Sequence, residues 1–336
     1  MKHANNFDFL RFLFSFLVVL GHTIILSRQP EFQNSFLAAM PNYSVYCFFI
    51  ISGFLVYSSI ERLGNLKKYF INRIKRIFPA YFAVVIFFSF FLFFFSAASA
   101  HQYFSPQWLK YLGANLIFLN FIEPCINFIF SNNYLCAING ALWTIKVELI
   151  FYAFIPLLFY FTKGMSVCRK NLVLIFLYIL STVYFSVVSG MEKYVLAKQF
   201  PGCLNYFVTG IMLYVNIGFF KKKINWFLPI AIFAVFLEKV ILLQNLATPF
   251  ALGIIIFWLA FLKLPLKNFG KYGDFSYGMY LVHFPIIQIF VQENMYKNYS
   301  YAGFLFSISI ILAASFLIWN FIEKPILKKK FIHKSL

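Results

Sequence analysis

Apolar residues run along this chain in long unbroken stretches and do not alternate with polar ones as they would in a half-buried strand. Ten stretches stand out, at about 9–27, 43–60, 78–98, 142–162, 171–189, 202–220, 226–243, 247–262, 276–292 and 301–319. Roughly 20 mostly apolar residues let one helix cross the hydrocarbon of a bilayer. A transmembrane barrel would show a period of two, whereas a helix meets its own backbone hydrogen-bonding needs within each segment. The pattern predicts an all-α integral membrane fold with about ten transmembrane helices, the seventh and eighth being the weakest. The longest connection, about 99–141, holds a half-length apolar piece from Trp108 to Phe121 that either dips into the membrane or lies along it. Such a loop either shapes an acceptor site or simply covers the surface. The Phe87 to Phe95 block reads as lipid-facing filler.

Composition agrees. Of 336 residues, 62% are hydrophobic and 12% charged, which excludes a water-soluble globule. The net charge of +19 would suggest a nucleic-acid partner in a soluble protein, but here the cations sort by side. With the N-terminus inside, the inner set is Lys2; Arg62, Lys67, Lys68, Arg73, Lys75 and Arg76; Lys163, Arg169 and Lys170; Lys221, Lys222 and Lys223; Lys263, Lys267 and Lys271; and Lys324, Lys328, Lys329, Lys330 and Lys334. The outer set is Arg28, Lys110, Lys193, Lys198 and Lys297. That is 21 against 5, and the positive-inside rule then puts both termini in the cytoplasm. Arg11, Lys146 and Lys239 lie within spans. No extramembrane stretch is long enough to fold as a nucleic-acid module, so no nucleic acid is expected as a partner.

The first stretch lacks a small-residue cleavage site and carries Arg11 and His22, so it reads as a retained helix and not a signal peptide. No long polar linker or repeat divides the chain. One polytopic domain, 1–336, is expected, with 320–336 a basic cytoplasmic tail. Cys47, Cys168 and Cys203 read as packing residues. Cys125 and Cys136 share the outer loop, where an oxidising compartment permits a disulfide, and the sequence leaves that pairing open. No metal-ligand spacing is present.

Ionisable groups inside the membrane cost a few kcal/mol each, so chemistry is sought where they occur. Asp8, Arg11 and His22 stand out in the first stretch. Arg11 and His22 are eleven residues apart, which is three helical turns plus about 20° and a rise of about 16 Å, so they share one stripe. Arg11 then lies toward the inner face and His22 toward the outer. The pantetheine arm of coenzyme A has comparable reach. A donor phosphate held by the guanidinium fork could present its thioester beside an imidazole suited to accept an alcohol proton. The plainer alternative is that Arg11 snorkels to headgroups and His22 only bonds a neighbouring helix. Asp8, one turn before Arg11, is either its orienting partner or a favourable charge at a helix N-terminus.

Arg73 and Arg76 precede Pro79 in a basic segment that either attracts lipid headgroups or clamps donor phosphates. Ser52 and Gly53 are small enough to let a backbone or an acyl arm approach. Glu148 follows Trp143 about one turn into the fourth span. It either orients His22, bonds an acceptor sugar, or pairs with Lys146 or Lys239.

Taken in order, these segments resemble a known family. Asp8-Phe-Leu-Arg11 with Gly21-His22, Phe48-Phe-Ile-Ile-Ser52-Gly53-Phe54, Arg73-Ile-Lys-Arg76-Ile-Phe-Pro79-Ala-Tyr81, Trp143-Thr-Ile-Lys-Val-Glu148, Ser276-Tyr277-Gly278-Met-Tyr280-Leu-Val-His283-Phe-Pro285 and Glu323-Lys324-Pro325 follow the order seen in membrane acyltransferase-3 proteins. The likeness covers essentially the whole chain and resembles the stand-alone form. It implies a multi-pass enzyme of the bacterial plasma membrane that acylates, usually acetylates, hydroxyls of lipopolysaccharide, capsule or exopolysaccharide from acyl-coenzyme A. No permanently bound cofactor or metal is implied. By match, His22 and Glu148 would be catalytic and Arg11, Arg73 and Arg76 would hold the donor. Asp8, Ser52, Gly53, Trp143, Tyr277 and His283 would line the site. Phe9 and Phe12 replace glycines usual after the Asp and the Arg, and Lys146 stands where a small or apolar residue is usual, departures that bear on the acceptor and the channel width. Direct transfer with His22 as general base is the expected mechanism. A glycolipid or lipid transporter using the same intramembrane charges is the competing reading.

Overall fold

The computed structural model describes residues 5–32, 35–237, 244–266, 269–271 and 273–328, and among them every regular element is helical. Lys2, Lys239, Lys267 and the tail beyond Lys328, with Lys329, Lys330 and Lys334, lie outside the described residues. The described parts of the ten apolar stretches are largely helical, in α1 Phe7–Ser27, α2 Met40–Leu63, α3 Leu66–Phe91, α4 Trp143–Thr162, α5 Val167–Gly190, α6 Phe200–Val215, α7 Ile217–Leu237, α8 Gln244–Phe261, α9 Ser276–Gln292 and α10 Ser300–Ile318; the seventh stretch leaves the described residues after Leu237. Among the described residues, six helical segments are long and apolar enough to cross a membrane, or seven if the bent α6–α7 pair forms one span. This is a multi-pass membrane protein.

Two expected boundaries move. The sixth stretch, 202–220, crosses a break at Asn216, where α6 turns by 109° into α7. Apolar residues continue through the corner, so hydrophobicity alone does not mark it. Asn216 completes it by exchanging amide hydrogen bonds with Asn171 of α5 at 2.8 and 3.0 Å and by donating to the Met212 carbonyl. The basic segment before Pro79, which the apolar stretches leave as a connection between the second and third spans, is instead the first three turns of α3. Lys and Arg are good helix formers and nothing between Leu66 and Pro79 interrupts them.

Contacts divide the chain into two compact units. The first comprises Met1–Phe14, Tyr43–Phe70 and Val147–Gly270; the second comprises Ser15–Asn42, Ile71–Lys146 and Lys271–Leu336. In the first unit, α2 and α6 cross backbone to backbone. A Cβ on Gly53 would sit 2.0 Å from the Phe207 carbonyl oxygen, and one on Gly210 2.0 Å from that of Ile50. Small residues allow this approach in lipid, where close packing replaces the hydrophobic drive. Flanking rings stack, Phe151 on Phe207 and Tyr46 on Tyr206, each pair with centroids 4.1 Å apart. The start of α1 is tied to the end of α8 by the Asn6 amide, which donates to the carbonyls of Leu259 and Leu262, both at 2.9 Å.

In the second unit, α9 is buried on all sides from Ser276 to Phe290. Its first turn receives the Ser15 hydroxyl of α1 on the Ser276 carbonyl at 2.8 Å and sends the Tyr277 hydroxyl to the Ile77 carbonyl of α3 at 2.9 Å. Helix Pro106–Leu116 in the long connection buries Trp108, Tyr111 and Asn115. The indole of Trp108 donates to the Ser89 carbonyl of α3 at 2.9 Å, and Tyr81 donates to the Asn115 carbonyl at 2.8 Å. The Phe-rich block is mixed: Phe87, Phe90 and Phe94 are exposed while Phe88 is buried. Cys125 and Cys136 are joined in a disulfide, with Cα atoms 5.4 Å apart. The loop it closes is lashed to the end of α9. The Gln288 amide donates to the carbonyls of Leu135 and Ala137 and accepts from Asn133, while Gln292 accepts from the Phe130 N–H and donates to the Phe95 carbonyl.

Candidate active site

The expected site residues fall into sets, each within one unit. In the second unit the central feature is a pair of imidazoles. His22 Nδ1 lies 2.8 Å from His283 Nε2, and His283 Nδ1 lies 2.8 Å from the carbonyl oxygen of Tyr280. The ring planes differ by only 10° with centroids 5.0 Å apart, so the rings meet edge to edge in one plane, as a hydrogen bond along a ring-nitrogen lone pair requires. His283 is fully buried and His22 partly so.

Neighbouring residues explain why this pair holds its place. Pro285 has no N–H, which removes the helical partner of the Leu281 carbonyl. That carbonyl instead accepts from the Asn139 amide at 2.7 Å. The Tyr280 hydroxyl bonds the Ala141 carbonyl at 3.0 Å and the Thr144 hydroxyl at 2.6 Å. Segment 139–144 therefore clamps the turn of α9 that carries His283. Phe284 stands edge-on to His22, with centroids 5.5 Å apart, and its ring fills the space where a Cβ on Gly140 would come within 2.8 Å. On α1, Gly21 admits Pro41, whose ring carbon would lie 2.3 Å from an added Cβ. Trp143 opens α4, half-buried, one residue before Thr144.

A second cluster of this unit gathers around Arg76. Its Nη2 meets Asp274 at 2.7 Å and its Nη1 meets Glu323 at 2.9 Å, while its guanidinium lies 5.5 Å from the Tyr277 ring centroid. Glu323 is almost wholly buried and sits in a single π-helical turn, Trp319–Glu323, that follows α10. Asp274 also accepts from Ser276 at the start of α9. Both terminal nitrogens of Arg76 are thus engaged by carboxylates, which makes it first a brace between α3, the head of α9 and the π-turn. Arg73 lies one turn earlier on α3, half-buried.

In the first unit, the Glu148 carboxylate accepts from the Tyr152 hydroxyl and, at 3.3 Å, from Ser52. Tyr152 is held through its carbonyl, which accepts from Tyr69 at 3.0 Å. Lys146, one of the partners expected for Glu148, instead lies over the Phe121 ring, 4.1 Å from its centroid, within the second unit. The room beside Gly53 is taken by the Phe207 backbone. Arg11 lies in the first unit on α1, half-buried, and Asp8 one turn earlier is exposed, its carboxylate beside the Cα of Gly270. The departures at Phe9 and Phe12 serve packing, since both rings rest on Phe269, with centroids 5.4 and 5.1 Å away. Helix α1 is unbroken from Phe7 to Ser27, as the eleven-residue step from Arg11 to His22 requires.

The sequence alone puts His283 among the lining residues and assigns no role to Asn139, Gly140, Thr144 or Ser15. The available signal was Pro285, which announces an orphaned carbonyl on a buried helix.

A helical membrane protein with this ordered set of polar groups matches the acyltransferase-3 family model, described as an acyltransferase domain, across residues 5–321, and the chain belongs to that family. The protein is an acyltransferase. It is 24% identical to a protein named O-acetyl transferase from Shigella phage Sf6, with 98% of each chain covered. It is also 31% identical to Nodulation protein 10 of Rhizobium leguminosarum bv. viciae, over 46% of this chain and 44% of that one. No solved structure matches it.

Proposed function

We propose that the protein is an O-acetyltransferase that moves an acetyl group from cytoplasmic acetyl-coenzyme A to a hydroxyl of an extracytoplasmic glycan such as O-antigen, capsule or exopolysaccharide. It does so as a single integral domain of the bacterial plasma membrane, with ten spans and both termini in the cytoplasm. Arg11 and Arg73 hold the donor's phosphates, and Arg76 supports that end of α3 and α9. Glu148, with Ser52, binds the acceptor or the acyl group through hydrogen bonds. Asp8, Trp143 and Tyr277 are the remaining lining positions.

His22 is the general base. The acceptor oxygen attacks the thioester carbonyl carbon as its proton passes to the imidazole. The tetrahedral intermediate collapses with cleavage of the C–S bond, and the imidazolium returns the proton to the departing thiolate, giving the acetyl ester and free coenzyme A. The observation that carries this reading is an unbroken helix bearing a guanidinium and, eleven residues on, an imidazole, a step of about 16 Å that suits a long thioester. The name of the phage relative supports oxygen as the acceptor atom.

The test is a transfer assay in proteoliposomes with radiolabelled acetyl-coenzyme A and surface glycan extracted from cells lacking the gene. Label should move to the glycan with the native protein, and His22→Ala should lower transfer by about 10²- to 10⁴-fold, the usual worth of a positioned base. Full transfer by a folded His22→Ala protein would remove His22 from the mechanism.

A further inference from the structure

We propose that His283 is a positioning residue that sets the tautomer of His22, leaving Nε2 of His22 as a bare lone pair. The proposal rests on the reading of His22 as general base. It follows from counting protons along one line of atoms. A carbonyl oxygen only accepts, so in the 2.8 Å contact with Tyr280 the proton belongs to His283 Nδ1. A neutral imidazole has one N–H, and His283 Nε2 is therefore an acceptor. The 2.8 Å contact between that nitrogen and His22 Nδ1 then needs its proton on His22 Nδ1. What remains on His22 is Nε2, unprotonated, which is the atom a general base must offer to an alcohol. With the other tautomer the two rings would set lone pair against lone pair, and His22 would present a donor where an acceptor is needed.

This arrangement has the logic of a nucleophile–base–orienter triad in which a backbone carbonyl, reached through a second imidazole, takes the place of a carboxylate. The surroundings keep the carbonyl still. Asn139 occupies the neighbouring Leu281 carbonyl, and Thr144 with Ala141 holds the Tyr280 ring, so the start of the line is anchored on both sides. The coplanarity of the rings aligns the Nδ1–H of His22 with the in-plane lone pair of His283. The arrangement places no charge on His283 at rest, which suits a side chain with no exposed surface.

Two measurements on the full-length protein in nanodiscs test the proposal. Nitrogen NMR on ¹⁵N-histidine-labelled protein, with His22 assigned by its absence in His22→Ala, should show an N–H-type Nδ1 and a lone-pair-type Nε2 on His22; the reverse pattern overturns the proposal. In the acetyl-transfer assay, His283→Phe keeps a ring but removes the acceptor, and kcat should fall by about 10²-fold or more with KM for acetyl-coenzyme A unchanged. His283→Gln supplies a carbonyl that can accept from His22 Nδ1, and it should recover at least about a tenth of the native rate. A folded His283→Phe protein with native kcat sinks the proposal. Should His283→Phe fail to fold, the NMR result on native protein decides alone. An active His22→Ala protein would defeat the reading of the base while leaving the measured tautomer standing, so the two failures are distinct.

Discussion

Among single residues, Arg11 and Gly53 separate chemistry from packing. If Arg11 grips donor phosphates through a planar fork, Arg11→Lys replaces paired donors with a point charge. The loss of one charge-assisted hydrogen bond, about 1.5 kcal/mol, should weaken acetyl-coenzyme A binding by roughly tenfold in equilibrium dialysis. Unchanged affinity would count against the grip. Gly53→Ala drives a methyl into the Phe207 carbonyl. It should cost about 1–3 kcal/mol and lower the melting temperature in detergent, without any selective effect on KM, because the residue spaces two helices. Residue identity was legible in the sequence only where chemistry left a trace: Arg11 and His22 stood out as polar groups in an apolar run, and His283 only through the family resemblance. Their partners did not. His22 and His283 are 261 positions apart, and nothing local to Arg76 reveals that Asp274 and Glu323 occupy it.

For helices and loops, the apolar stretches were readable because lipid demands long apolar runs, and their described parts are largely helical. The corner at Asn216 was not, since hydrophobicity is blind to a bend whose polar groups are satisfied by a single distant amide. The early start of α3 was hidden for a related reason: charged residues interrupt a hydropathy pattern but not a helix. The disulfide, which the sequence left open, can be tested directly. Closing a loop of eleven residues' separation restricts the unfolded chain by about 2–3 kcal/mol. Cys125→Ser with Cys136→Ser should therefore expose 126–135 to limited proteolysis while α1 to α3 stay protected. Equal protection in the mutant would show that the glutamine contacts of α9 suffice.

For the molecule as a whole, the orientation proposed from charge can be read out by a native side chain. Cys47 and Cys203 are buried, Cys125 and Cys136 are bonded to each other, and Cys168 is exposed at the start of α5 beside Arg169 and Lys170. On the proposed orientation, that end of α5 faces the cytoplasm. A membrane-impermeant maleimide should leave intact cells unlabelled and react once per chain after permeabilisation; labelling of intact cells would invert the topology. The lashing of the disulfide-closed loop to Gln288 and Gln292 has a practical corollary for anyone redesigning acceptor choice. The glutamines bind mostly backbone, the Leu135 and Ala137 carbonyls and the Phe130 N–H, and only Asn133 contributes a side chain. A chimera should therefore leave the last two turns of the histidine helix in place and carry an asparagine at 133 into the new cover.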